Sequence, residues 1–208
     1  MPYNSGRVVH AADAHIMETP TWLTDHADED IRDRISPLRY PGGNELRQTG
    51  DPAAQQRDLA DTFERLRRRH ASDEYRQVEE TEIMARKNFA ATGSFIAADR
   101  SRALDLLGFS SQLVFNTFHN RRLYDWEHAG DVAFAYGVAR AHNRGMLEFC
   151  SVDPRLLAAC YVPLADFAQA AAMAAEPTAM DRGRRTRIPS PVAAGRDSPT
   201  AVPWPTRH

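Results

Sequence analysis

The chain has 208 residues, 42% of them hydrophobic, and a formal net charge of −2. That is enough sequence for one domain with a real core, and the near-neutral balance argues against a nucleic-acid-binding protein. No stretch approaches the ~18 consecutive apolar residues of a membrane span, the N-terminus lacks a signal-peptide core, and two cysteines, Cys150 and Cys160, suit a reduced cytoplasmic protein rather than a zinc motif.

In chain order, the first element is a strand over Val8 to His15. Alternation along it puts Asp13 and His15 on one face. A carboxylate and an imidazole at a strand's end can start a metal site, since one offers a hard anionic oxygen and the other a neutral nitrogen. The alternative is a solvated strand end. Glu18 follows three residues after His15 and could lend a third oxygen. His10, at the start of the strand, reads as structural.

Asp25 to Asp33 begins a surface helix. Ser36 to Pro52, with its prolines and glycines, reads as a loop. Ala54 to Ala71 is helical, with Leu59, Phe63 and Leu66 on its apolar side. Its arginines 65, 67, 68 and 69 form a solvated face. Asp73 to Met84 is a further charged helical stretch. The span from Ser36 to Thr92 is too long for a plain connection. It reads as an excursion near the mouth of a site or as part of a homo-oligomer contact.

Asp99 can cap a helix over Arg100 to Leu107, stopped by Gly108. Ser111 to Thr117 reads as a buried strand carrying Leu113, Val114 and Phe115. A loop then follows with His119, Arg121 and Arg122. His119 could touch a substrate there, and Arg121 or Arg122 could pair with its carboxylate. The alternative is a polar loop without contacts. A helix over Gly130 to Cys150 ends before Asp153-Pro154, and on it His142 and Asn143 read as packing or surface residues. Leu157 to Val162 is a third strand. Asp166 to Glu176 is an alanine-rich helix stopped by Pro177. Strand and helix alternating at this rhythm predict an α/β fold with parallel strands and helices outside.

The opening stretch, D-x-H-x-x-E-x-P-x-W over Asp13 to Trp22, resembles the start of the amidohydrolase-related family. These are metal-dependent hydrolases and decarboxylases similar to aminocarboxymuconate-semialdehyde decarboxylase. The helix AHNRGMLEFCSVDPRLL, then a strand ending in proline, then another helix, extends the resemblance over about Arg7 to Glu176. It implies the N-terminal portion of a (β/α)8 TIM barrel, with Asp13 and His15 as ligands of a divalent metal ion, zinc by preference. The implied chemistry is hydrolysis or decarboxylation of a small carboxylated or cyclic substrate. None of the family's later ligand positions has a counterpart here.

The chain changes character after Glu176. Residues 177–208 hold six prolines and six arginines. A fourth strand should fall near Arg184 to Ile188, but that sequence is not a buried strand. The expectation is a disordered or frame-shifted tail beyond residues 1–176. A truncated remnant without activity, folded or acting as an interaction partner, is the competing reading of function.

Overall fold

The computed structural model describes residues 6–38, 40 and 52–180. Three strands form one parallel sheet in chain order: β1 (His10–His15), β2 (Ser111–Phe115) and β3 (Leu156–Ala158). This is the mixed α/β arrangement that the alternating rhythm predicts. β1 starts two residues later than expected, and β3 is shorter than Leu157 to Val162. The chain leaves the sheet at Ala159, whose N–H still donates to the Val114 carbonyl at 2.9 Å.

β1 and β2 pair His10 with Ser111 and His15 with Phe115, but the register shifts between Ala11 and Ala14. β1 spends one more residue there than β2, as in a bulge, which re-aims the side chains that follow. Ala14, Gln112, Val114, Leu156 and Ala158 face the buried side. Behind them lies the main core, built from Ile16, Trp22, Leu23, Leu104, Val138 and Met146, among others.

Helices cover that side. The acidic run after Pro20 gives two short helices, α1 (Trp22–His26) and α2 (Glu29–Arg32), not one. α1 packs closely on a long later helix: a Cβ on Gly145 would lie 2.8 Å from the Trp22 indole. The expected helix from Ala54 is α3 (Pro52–Ala71). The charged stretch after it breaks at Val78 into α4 (Asp73–Gln77) and α5 (Glu79–Glu82). Of the expected loop over Ser36 to Pro52, residues 39 and 41–51 lie outside the described residues. The segment from 36 to 96 builds a second core of Leu38, Tyr40, Leu59, Phe63, Leu66, Phe89 and Phe95. It packs against Met17 and Phe118, just past the ends of β1 and β2.

α6 (Arg100–Leu107) ends on Gly108, whose φ of 73° is the left-handed conformation that glycine adopts freely. Asp99 stands at its N-cap but makes no side-chain cap bond. Its carboxylate instead takes a hydrogen bond from Arg76 at 2.6 Å. After β2 the chain turns at once into α7 (His119–Glu127), where the sequence suggested a loop. α8 (Val132–Cys150) is capped by Asp131, which accepts from the Phe134 N–H at 3.0 Å. α9 (Phe167–Met180) runs one turn past Pro177, which was expected to stop it. Proline removes one helical hydrogen bond and disfavours the turn, yet the alanine-rich run before it carries the helix through. Arg184 to Ile188, where a fourth strand was expected, lies outside the described residues. No helix among the described residues is long and apolar enough to cross a membrane.

Candidate metal centre

Parallel strands bring their C-terminal ends to one edge of the sheet. At that edge β1 presents Asp13 and His15, with Oδ1 and Nε2 3.0 Å apart. Two donors sharing a tetrahedral zinc ion at ~2.0–2.2 Å lie about 3.3 Å apart. The pair is therefore close to the separation that one ion requires. Both side chains reach solvent, Asp13 at 84% exposure and His15 at 40%.

The other side of the His15 ring is fixed. Nδ1 lies 2.8 Å from the carbonyl oxygen of Asn116, the residue just after β2. A neutral imidazole has one N–H, and here both nitrogens face oxygen acceptors. The Asn116 carbonyl and the Asp13 carboxylate can each only accept, so one imidazole proton serves one of them; with Nδ1–H on the carbonyl, nothing is left to bridge the other pair. Nε2 then points a lone pair at a carboxylate oxygen, which calls for a cation between them, either a second proton or a metal ion. An imidazole whose far nitrogen donates to a backbone carbonyl is the usual outer support of a metal ligand.

Glu18 does different work from a third ligand. It is fully buried, and its carboxylate accepts from the backbone N–H groups of Thr117, Phe118 and His119 at 3.0–3.1 Å. It thus satisfies the open donors at the start of α7 in place of a local capping side chain. Burial pushes its carboxyl above the ordinary range, and the N–H donors oppose that. Tyr40 donates to the Glu18 carbonyl at 2.8 Å, and the Thr117 hydroxyl donates to the Ile16 carbonyl at 2.6 Å. Arg100 ties the same region from behind. It is buried, with Nε donating to Gln112 at 3.0 Å and a terminal nitrogen donating to the carbonyls of Gly93 and His15.

The residues expected to meet substrate lie on α7. His119 opens α7 and is 1% exposed. Its ring nitrogens have no hydrogen-bond partner among the described residues, and burial holds its pKa down to about 2, so the ring is neutral. Arg121 is exposed, and its Nε donates to Asp125 at 2.7 Å along the helix. Arg122 donates to Ser36 and lies over the Trp126 ring. None of the described hydrogen bonds or ion pairs joins His119 or Arg121 to Asp13 or His15.

His10 bonds to the Ser111 hydroxyl at 2.7 Å, pinning the far ends of β1 and β2. His142 is buried on α8, within the core. Among the described residues no group of three or more His, Cys, Asp or Glu side chains could hold a metal ion. The centre is two donors on one strand, with solvent in front of them.

Sequence reasoning missed Glu18 as a backbone acceptor, and missed Asn116 and Arg100 altogether. For Glu18 a signal existed: it is the one charged residue in Ile16 to Trp22, between two buried ends. Neither family models nor curated proteins give a match to this chain.

Proposed function

We propose that this chain forms the N-terminal part of a (β/α)8 barrel of the amidohydrolase-related kind and carries the first two ligands of a divalent metal, zinc by preference. The observation that carries the reading is the Asp13–His15 pair at the C-terminal end of β1, with His15 Nδ1 held by the Asn116 carbonyl. Active sites of such barrels lie at that end of the strands. The metal, when bound, supplies Lewis-acid polarisation of a substrate oxygen and of water. Asp13 contributes an anionic oxygen and His15 a nitrogen whose direction is already set. The reaction class is hydrolysis or decarboxylation of a small carboxylated or cyclic molecule. A cytoplasmic setting and self-association go with this reading.

A second reading has its own support. Catalytic zinc sites typically use three protein ligands plus water, and the described residues offer two. On that ground the alternative is a folded remnant without turnover, which acts as an interaction partner.

Zinc titration by calorimetry after exhaustive dialysis tests the centre. The chain should bind one ion weakly. His15→Ala should lower the affinity by more than the ~10–100-fold typical of losing an outer-shell partner. Equal affinity in His15→Ala and the unaltered chain would put the centre elsewhere. Tight binding with turnover would set aside the remnant.

A further inference from the structure

We propose that Glu18 is a positioning residue for the Asp13–His15 centre and selects the tautomer of His15 through the turn between β2 and α7. The proposal rests on reading that pair as a metal site.

The path is short and every link is a described bond. The Glu18 carboxylate holds the N–H groups of Thr117, Phe118 and His119. Those three residues follow Asn116, so fixing them fixes the direction of the Asn116 carbonyl. That carbonyl faces His15 Nδ1 at 2.8 Å. The opposing demand comes from Asp13, 3.0 Å from Nε2, which in the metal-free chain competes for the single imidazole proton. Asp13 is largely exposed, whereas the Asn116 carbonyl belongs to a backbone pinned at three successive amides. The pinned acceptor prevails, Nδ1 keeps the proton, and Nε2 is left with a lone pair for the metal. Glu18 touches neither the ion nor the imidazole. It acts by holding the acceptor still. A helix cap alone would need no particular relation to His15, but Glu18 lies three residues beyond it on the same segment, so one short stretch carries both the ligand and its support.

The test uses the 208-residue chain without metal at about pH 9, above the ordinary imidazole range. Long-range nitrogen–proton spectra report which ring nitrogen of His15 bears hydrogen. The unaltered chain should show Nδ1–H. In Glu18→Gln, an amide NH2 replaces one acceptor oxygen and confronts the backbone donors, so the turn should loosen. His15 should then shift to Nε2–H or a mixture, and zinc affinity should fall about tenfold. A folded Glu18→Gln that keeps both the Nδ1–H tautomer and the affinity overturns the proposal. Should Glu18→Gln fail to fold, the unaltered chain decides. Nδ1–H together with slow amide exchange at residues 117–119 supports the proposal, and a mixed tautomer or fast exchange there overturns it. If the tautomer behaves as expected but the unaltered chain binds no zinc, the metal reading fails and the control of His15 by Glu18 stands.

Discussion

His119 and His142 are 1% exposed, and no ring nitrogen of either has a hydrogen-bond partner among the described residues. Burial, with each ring also feeling a neighbouring histidine, lowers their pKa values to about 2 and about 3. The unfolded chain binds a proton at each below about pH 6.5 while the folded chain does not, so stability is full above that pH and falls as the solution is acidified. At pH 5 the loss is about 2 kcal/mol per histidine. Urea melts between pH 7 and pH 5 should show it. His142→Leu should flatten the dependence at little cost at pH 7, because it removes ring nitrogens that have no partner to lose. A variant as acid-sensitive as the unaltered chain would show that other groups set the slope.

At the scale of elements, two glycines mark where pieces touch. A Cβ at Gly145 on α8 would lie 2.8 Å from the Trp22 indole of α1. Gly145→Ala should therefore cost about 1–3 kcal/mol by overpacking that contact. Gly93 is more constrained: its φ is 69°, and a Cβ would stand 2.6 Å from the Arg100 Cα, which is backbone and cannot turn aside. Gly93→Ala should be the worse of the two, adding about 1–3 kcal/mol of backbone strain to the clash. Denaturant midpoints of both variants check the order.

The elements that were legible in the sequence share a cause. β2 carries Leu113, Val114 and Phe115 in one run, and α8 has small and apolar residues at helical spacing with Asp131 before them, so local pattern and tertiary role agree. α7 was not legible. HNRRLYDWE buries only His119 and Leu123, and the acceptor for its first N–H groups is Glu18, about a hundred residues earlier. No local capping signal marks its start. That Asp13 and His15 stand side by side was readable because both sit on one strand. Asn116 was not, because a backbone carbonyl leaves no trace in sequence.

Across the whole molecule, the described sheet is β1-β2-β3 with both outer strands unpaired on one side. Among the described residues only β2 has neighbours on both sides. Its amides should exchange slowest, with β1 and β3 faster, and β1 the more so because only Ala14 along it is buried. Hydrogen exchange read residue by residue checks this, and equal protection across the three strands would point to a partner strand on β1 or β3. Such edges invite pairing with other chains. Asp13 counters this near the end of β1, because a solvated charge is poorly matched to a stacked edge.

The sheet order also equals the order of synthesis, and His10 pairs with Ser111 across 101 residues. A ribosome adding ~5–20 residues per second takes about 5–20 s to cover that gap. For most of that interval Asp13 and His15 are already part of the nascent chain, while the Asn116 carbonyl has yet to be made. For those seconds the two residues are a carboxylate and an imidazole without the backbone contact that orients the ring. The His15 ring acquires its contact with the Asn116 carbonyl only when β2 arrives and the turn after it closes on Glu18.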